Sequence, residues 1–218
     1  MSKDSILILS GGMDSVTLLY LNQERIALAV SFDYGSRHNE REIECASYHC
    51  ERLNIPHLII PLEFMNKYFE SSLLKGGPEI PLATYDDSNM KSTVVPFRNG
   101  IMLSIACGLA ESRGLKRVMM ANHGGDHAIY PDCRPGFVEA MSMAMKEGTY
   151  NGIILETEFT NLHKGEIAAI GKRLGIDYSK TYSCYNGREK HCGRCGTCIE
   201  RKAAFKYADI PDPTIYEE

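Results

Sequence analysis

Two clusters in this sequence have residue types and spacings that suit chemistry. The first is Ser10-Gly11-Gly12-Met13-Asp14-Ser15. Adjacent glycines let the backbone turn sharply and bring N–H groups close to an anion. A helix starting just behind them would aim its positive end and unpaired N–H groups at the same point. Ser10 and Ser15 add hydroxyl donors, and Asp14 can hold a magnesium ion that screens phosphate charge. The lysine of the G-x-x-x-x-G-K-[ST] loop is missing, so this is not the loop of enzymes that transfer a γ-phosphate. We place the nucleotide contacts on Leu9, on Ser10 to Ser15 and on Val16, Thr17, Leu18 and Leu19.

The second cluster is Cys184, Cys192, Cys195 and Cys198, in the pattern C-x7-C-x2-C-x2-C. Two overlapping C-x-x-C turns hold three sulfurs on one tight curve. The fourth, eight residues upstream, can close a tetrahedron around zinc at Zn–S distances of about 2.3 Å. Gly187, Gly193 and Gly196 relax the backbone, while Arg188, Lys190, Arg194, Arg201 and Lys202 can offset the charge of four thiolates. Ligation by all four sulfurs leaves no open position, so one structural Zn2+ per chain is expected. An iron–sulfur cluster fits less well, because Ile199 and Glu200 stand where a ferredoxin-type run has its next cysteine and proline. Zinc knuckles also bind RNA, but only Tyr185 and His191 offer bases a stacking surface here. Cys50, Cys107 and Cys133 read as packing residues.

Further polar groups stand at element boundaries. Arg98, beside the expected cap Asn99, puts a fixed cation at a helix start, suited to phosphate or carboxylate. Asn122-His123-Gly124-Gly125-Asp126 follows the fourth strand, at the sheet end where open α/β sheets bind ligands. Tyr130-Pro131-Asp132-Cys133-Arg134 comes next. There Asp132 can accept two parallel N–H donors of a polar heterocycle, with Asp126 and Arg134 as further substrate contacts. Lys164 opens the last crossover helix and can neutralise a leaving pyrophosphate. The catalytic set expected is therefore Asp14, Arg98 and Lys164.

The elements that position these groups alternate. Strand patterns at Ser5–Leu9, Ile26–Phe32, Leu58–Leu62, Arg117–Ala121 and Ile153–Phe159 are separated by helical patterns. The helices are expected at Asp14–Asn22, His38–Leu53, Asn99–Ser112, Phe137–Lys146 and Lys164–Leu174. Such alternation predicts an α/β fold with a parallel, five-stranded, doubly wound sheet. Ser71 to Pro96 breaks the pattern with Gly76, Gly77, Pro78, Pro81 and an Asp86-Asp87-Ser88-Asn89 cluster, and reads as a functional lid. The 218 residues suit one α/β domain over 1–177 with a small zinc-binding segment over 178–218. A formal charge of −4 argues against broad nucleic-acid binding. No signal-peptide core and no apolar run of about 20 residues is present, so the expected location is the cytoplasm.

The Ser10–Ser15 loop resembles that of the PP-loop ATP pyrophosphatases, which cleave ATP to AMP and pyrophosphate to adenylate a carbonyl or carboxylate oxygen. That resemblance makes Phe32, Asp33 and Tyr34 adenine-pocket candidates. The Pro-x-Arg-Asn at Pro96 to Asn99, Tyr-Pro-Asp-Cys-Arg at Tyr130 to Arg134 and the terminal cysteines narrow it. Across essentially its whole length the chain resembles the 7-cyano-7-deazaguanine synthases of queuosine biosynthesis. The resemblance implies ATP-dependent ligation of ammonia to 7-carboxy-7-deazaguanine through an amide, with ATP carrying Mg2+, Zn2+ as structural cofactor and a homodimer as assembly. It also leads us to expect glycine at position 97, so Phe97 puts the shape of that loop in question. The competing readings are a tRNA-modifying PP-loop ligase or thiolase, which needs a separate RNA-binding appendage, and a nucleotide sensor without chemistry.

Overall fold

A computed structural model describes residues 3–81 and 90–217. The alternation seen in the sequence becomes β1 (Ser5–Ile8), α1 (Met13–Leu21), β2 (Ile26–Asp33), α2 (Asn39–Leu53) and β3 (His57–Pro61). A short helix α3 (Glu63–Tyr68), unanticipated because it spans only six residues, follows directly on β3. Then come α4 (Arg98–Ser112), β4 (Arg117–Met119), α5 (Pro135–Glu147), β5 (Ile154–Glu156), α6 (Lys164–Leu174) and α7 (Gly196–Tyr207). All strand pairs are parallel, in the order β3-β2-β1-β4-β5. The chain thus winds one way from β1 to β3 and the other way from β4 to β5. A crevice opens where the direction reverses, at the carboxyl ends of β1 and β4.

β1 is buried on both faces, as the central strand of a parallel sheet must be. Ile6 packs with Val30, Leu103, Ala106 and Val118 beneath α4 and α5. Its neighbour Leu7 points to the other face and packs with Val16, Leu19, Ala29 and Ile167 beneath α1, α2 and α6. Each such fully buried aliphatic side chain contributes roughly 1.5–3 kcal/mol. The stretch from Lys91 to Ser112 has the length and hydropathy of a membrane span, but α4 is only 15 residues long. That is about 22 Å against the roughly 30 Å of a bilayer core. Its Met102, Leu103, Ala106 and Ala110 are buried against the sheet.

One expectation changes, and another falls partly outside the described residues. Residues 82–89, which hold the Asp86–Asn89 cluster, lie outside the described residues. The flanks of the expected lid are packed, with Leu73, Leu74 and Val95 in the sheet core and Ile80 among the cysteines. The Ser72 N–H donates to the Ser92 carbonyl at 2.7 Å, and the Arg37 guanidinium donates to the carbonyls of Ser72 and Gly77. Asn99 is not the cap of α4. That place belongs to Phe97, in the left-handed region at φ 53°, which is the backbone shape that favours glycine.

Candidate active site

The crevice is a cavity of about 230 Å³, reached by residues from β1, β2, α1, α2, α4 and α6, from the loop after β4 and from the segment that carries the cysteines. The phosphate loop forms one wall. Gly11 has φ +93°, and a Cβ on it would lie 2.0 Å from the Glu42 carbonyl oxygen, so both conformation and space demand glycine there. The loop closes on itself through its serines. The N–H groups of Ser10 and Gly11 donate to Ser15 Oγ, each at 3.2 Å, and the Gly12 N–H donates to Ser10 Oγ at 3.2 Å. Serine oxygens thus occupy the acceptor positions that an anion's oxygens would fill.

Beside the loop stands a cluster of opposite charges. Lys164 Nζ lies 2.9 Å from Glu200 Oε2 and 3.5 Å from Asp14 Oδ2. His123 Nε2 lies 3.8 Å from Asp14 and 3.6 Å from Asp126. Because His123 Nδ1 accepts the Gly125 N–H at 3.0 Å, the ring proton sits on Nε2 and faces the carboxylates. Burial raises the Asp126 carboxyl, opposed by the nearby His123 and Lys164. Asp14 Oδ1 and Asn122 Oδ1 are buried with no hydrogen-bond partner, two acceptors suited to a cation or an N–H donor. Three carboxylates against one lysine make this wall poor at holding a bare polyphosphate and well suited to one that arrives with a divalent cation.

The opposite wall is aromatic. Arg98 Nη1 donates to the Tyr34 hydroxyl at 3.1 Å, and its guanidinium lies 5.6 Å from that ring's centroid. The hydroxyls of Tyr130 and Tyr185 are 2.6 Å apart. His38 and Glu42, one helical turn apart on α2, complete the wall with an Nε2–Oε2 distance of 3.7 Å. Burial pushes Glu42 up to about 8, opposed by Arg98, and pushes His38 down to about 4, with Arg98 adding to the shift.

The cysteines lie just outside the cavity. All four are buried, with their sulfurs within 4.8 Å of one another. Cys195 and Cys198 are 3.5 Å apart at sulfur, and Cys192 and Cys198 are 4.0 Å apart. A metal with bonds of about 2.3 Å in a regular tetrahedron needs sulfurs about 3.8 Å apart. Backbone N–H groups of Cys192 and Cys195 point at Cys184 and Cys192 Sγ, both at 3.3 Å, as they do toward thiolates. The Cys195 thiol is driven well below its ordinary range by hydrogen bonds from Cys184 and then Cys198. The donor set fits a tetrahedral thiophilic metal.

This knuckle also builds the cavity. Tyr182, Ser183, Tyr185, Thr197 and Glu200 line it, and the Tyr182 N–H donates to the Gly11 carbonyl at 3.1 Å. The fully buried Arg201 holds the segment together, donating to Thr181, Ser183, Thr214 and the Tyr178 carbonyl at 2.6–3.0 Å. Phe205 and Ala204 pack it onto Ala168 of α6 and Met13 of α1.

Among the expected site residues, Leu9, Ser10, Gly12, Met13, Asp14 and Ser15 line the cavity, as do Phe32, Tyr34, Arg98, Asp126 and Lys164. Val16, Leu18 and Leu19 do not, because they face the hydrophobic core. The Thr17 hydroxyl donates to or accepts from Tyr178 at 2.7 Å instead. Asp33 caps its own turn by accepting the Gly35 N–H. Asp132, expected at the heterocycle's edge, lies outside the lining, since its Oδ2 accepts the Asn99 N–H at 2.8 Å and so fixes the start of α4. Arg134 is exposed ahead of α5. The sequence reading missed His38, Glu42, Tyr182 and Glu200. A signal for two of them existed, because steps of four back from the buried Ala46 land on Glu42 and His38.

Residues 4–209 match the family described as Queuosine biosynthesis protein QueC. The chain is 60% identical over 215 residues to a 7-cyano-7-deazaguanine synthase of Porphyromonas gingivalis, covering 99% of this chain and 98% of that one. It is 50% identical to the Desulfotalea psychrophila protein of the same name, covering 98% of both. Among solved structures, NMN synthetase from Francisella tularensis shares the fold at a TM-score of 0.51 and 14% identity, covering 95% of this chain and 84% of that one. The NH3-dependent NAD synthetase of Campylobacter jejuni does so at 0.50 and 17%, covering 96% and 76%. With that match over nearly all its length, and with its phosphate loop and cysteine knuckle meeting in one crevice, the chain belongs to the QueC family.

Proposed function

We propose that this protein is an ATP-dependent ligase that converts 7-carboxy-7-deazaguanine and ammonia to the nitrile 7-cyano-7-deazaguanine. The observation that carries the reading is the 60% identity, end to end, to a relative of that name. The cavity supports it, because one continuous space joins a phosphate loop without lysine to an aromatic wall able to stack a flat heterocycle.

Removing two oxygens from a carboxylate needs two activations, since each is a poor leaving group in water. In the first, ATP yields an acyl-adenylate that ammonia opens to the amide. In the second, the amide oxygen is adenylated and departs with AMP as the C≡N bond forms. Backbone N–H groups of Ser10, Gly11 and Gly12 exchange their serine partners for phosphate oxygens. Asp14, with its unpartnered Oδ1, would hold a magnesium ion arriving with ATP, which would screen the phosphate charge. Lys164 swings from Glu200 toward the departing pyrophosphate, 2.9 Å being its resting contact. Arg98, oriented by Tyr34, faces the reacting carboxylate or α-phosphate. Asp132 acts at one remove, by fixing the helix start that carries Arg98.

Zinc on Cys184, Cys192, Cys195 and Cys198 supplies a structural centre when bound. We further read the protein as a cytoplasmic homodimer whose substrates are small molecules and not nucleic acid. Mass spectrometry after incubation with ATP, ammonium and the carboxy-deazaguanine tests the reading. Nitrile, AMP and pyrophosphate are expected, and synthetic amide should be converted with one ATP consumed. Production of ADP and free phosphate alone would refute it.

A further inference from the structure

We infer that Glu42 is the base that takes up the protons nitrogen sheds as ammonia becomes nitrile, an assignment that rests on the reaction proposed above. The proton balance makes such a group necessary. Ammonium carries four protons and the nitrile nitrogen none. In the first round ammonium gives one proton to Glu42, its lone pair forms the C–N bond, AMP departs with the electrons of the acyl C–O bond, and the nitrogen loses a second proton to solvent to become the amide. In the second round the amide oxygen attacks the α-phosphorus and pyrophosphate leaves, which makes the nitrogen acidic enough to lose one proton to solvent. Glu42, deprotonated between rounds, takes the last N–H proton as C≡N forms and the C–O bond breaks with AMP.

The cavity offers few acceptors for these protons. Asp14, Asp126 and Glu200 face Lys164 or His123 beside the phosphate loop. The Nδ1 lone pair of His123 is committed to the Gly125 N–H. The phenols of Tyr34 and Tyr130 are pushed up by burial and keep their protons. Glu42 is the remaining carboxylate among the described lining residues, on the aromatic side, with its side chain 16% exposed.

Its placement is fixed relative to the phosphate loop. The Glu42 carbonyl packs against Gly11 so closely that a single added carbon there would clash at 2.0 Å, which keys this turn of α2 to the loop. The groups that face it are His38 on its own helix at 3.7 Å, Arg98 from α4, Tyr34 at the end of β2 and the Cys45 thiol one turn on. The Nδ1 of His38 is buried without a partner. Burial pushes Glu42 up to about 8, so around that pH it can both accept a proton and release it before the second round.

The test separates adenylation from nitrogen chemistry in Glu42→Gln. Exchange of labelled pyrophosphate into ATP, dependent on the carboxy-deazaguanine, requires no proton from nitrogen and should stay within about threefold of the unsubstituted protein. Ammonia-dependent amide formation should fall at least ~100-fold, the range a positioned base supplies. Hydroxylamine, already neutral at pH 7, should restore acyl transfer as the hydroxamate. With the free-ammonia concentration held constant across the range, the rise in amide formation toward a pH of about 8 should disappear from the variant's profile. Loss of exchange together with amide formation, at an unchanged melting temperature, would show that Glu42 binds the acid and would overturn the inference. Amide formation within about tenfold of the unsubstituted protein would overturn it as well. Should Glu42→Gln melt early, Glu42→Asp decides, since it must keep both exchange and measurable amide formation. Absence of acid-dependent exchange in the unsubstituted protein would instead overturn the proposed reaction, and this inference with it.

Discussion

The phosphate loop and the cysteine knuckle meet at one hydrogen bond, from the Tyr182 N–H to the Gly11 carbonyl, yet they are held in shape by different means. The loop is local. Its conformation follows from Gly11, from the helix behind it and from two serine hydroxyls within six residues. The knuckle is assembled from residues scattered from Tyr178 to Thr214, and its order depends on four sulfurs and on the buried fork of Arg201. A loop of the first kind can be damaged chemically while the fold survives. Damage to the second kind removes a wall of the cavity with it.

The largest effect should come from breaking the knuckle. Cys195→Ser should shed the metal, lower the melting temperature by about 10 °C or more, and abolish nucleotide-dependent turnover together. Elemental analysis, calorimetry and product assay on one preparation check this. A variant that loses metal but keeps full activity would deny the knuckle its part in the cavity. Asp14→Asn gives the contrasting case. Turnover should fall by ~100-fold or more through weaker charge stabilisation, while stability changes by no more than about 1 kcal/mol. A melting curve displaced as far as that of Cys195→Ser would erase the distinction between the regions.

A smaller effect concerns acid. His38 is held neutral by burial, with a folded value of about 4 against 6.5 when exposed. A lowered value means that its contribution is complete above pH 6.5 and is lost as pH falls toward 4. His38→Gln should therefore flatten part of the stability loss between those limits in denaturant titrations, and an unchanged slope would count against it. The smallest effect is expected at Phe97. Its left-handed backbone at φ 53° is strained for any residue but glycine, while its ring packs edge-on against Phe137 with centroids 5.8 Å apart. Phe97→Gly releases the strain and loses the contact, so the net change in stability should stay under about 1 kcal/mol.

Much of this was legible in the sequence. The order of strands and helices followed from apolar periodicity because each helix must cover a face of one sheet. The loop could be read because its meaning lies in adjacent residues, and so could the spacing of the cysteines. What escaped depended on partners far along the chain. Asp132 has the chemistry of a substrate-reading carboxylate, and only the approach of Asn99, 33 residues away, turns it into a brace for the first turn of another element. Glu42 and His38 sit inside an amphipathic helix whose buried stripe simply continues into the cavity, so nothing in their spacing separates a core face from a ligand wall. At position 97 the resemblance raises the expectation of glycine, and the backbone does take the left-handed shape that glycine favours although a phenylalanine stands there.

The Thr17–Tyr178 hydrogen bond joins residues 161 positions apart, and it ties the helix of the phosphate loop to the segment that closes the crevice. Closing so long a stretch of chain must be paid for in entropy before its contacts return anything. Tyr182 and Glu200 reach the crevice from that same distant segment, so one wall of the chamber depends on long-range closure while the loop depends mainly on neighbours in sequence. Local opening of the C-terminal segment would therefore unmake the chamber while leaving the anion turn largely in place.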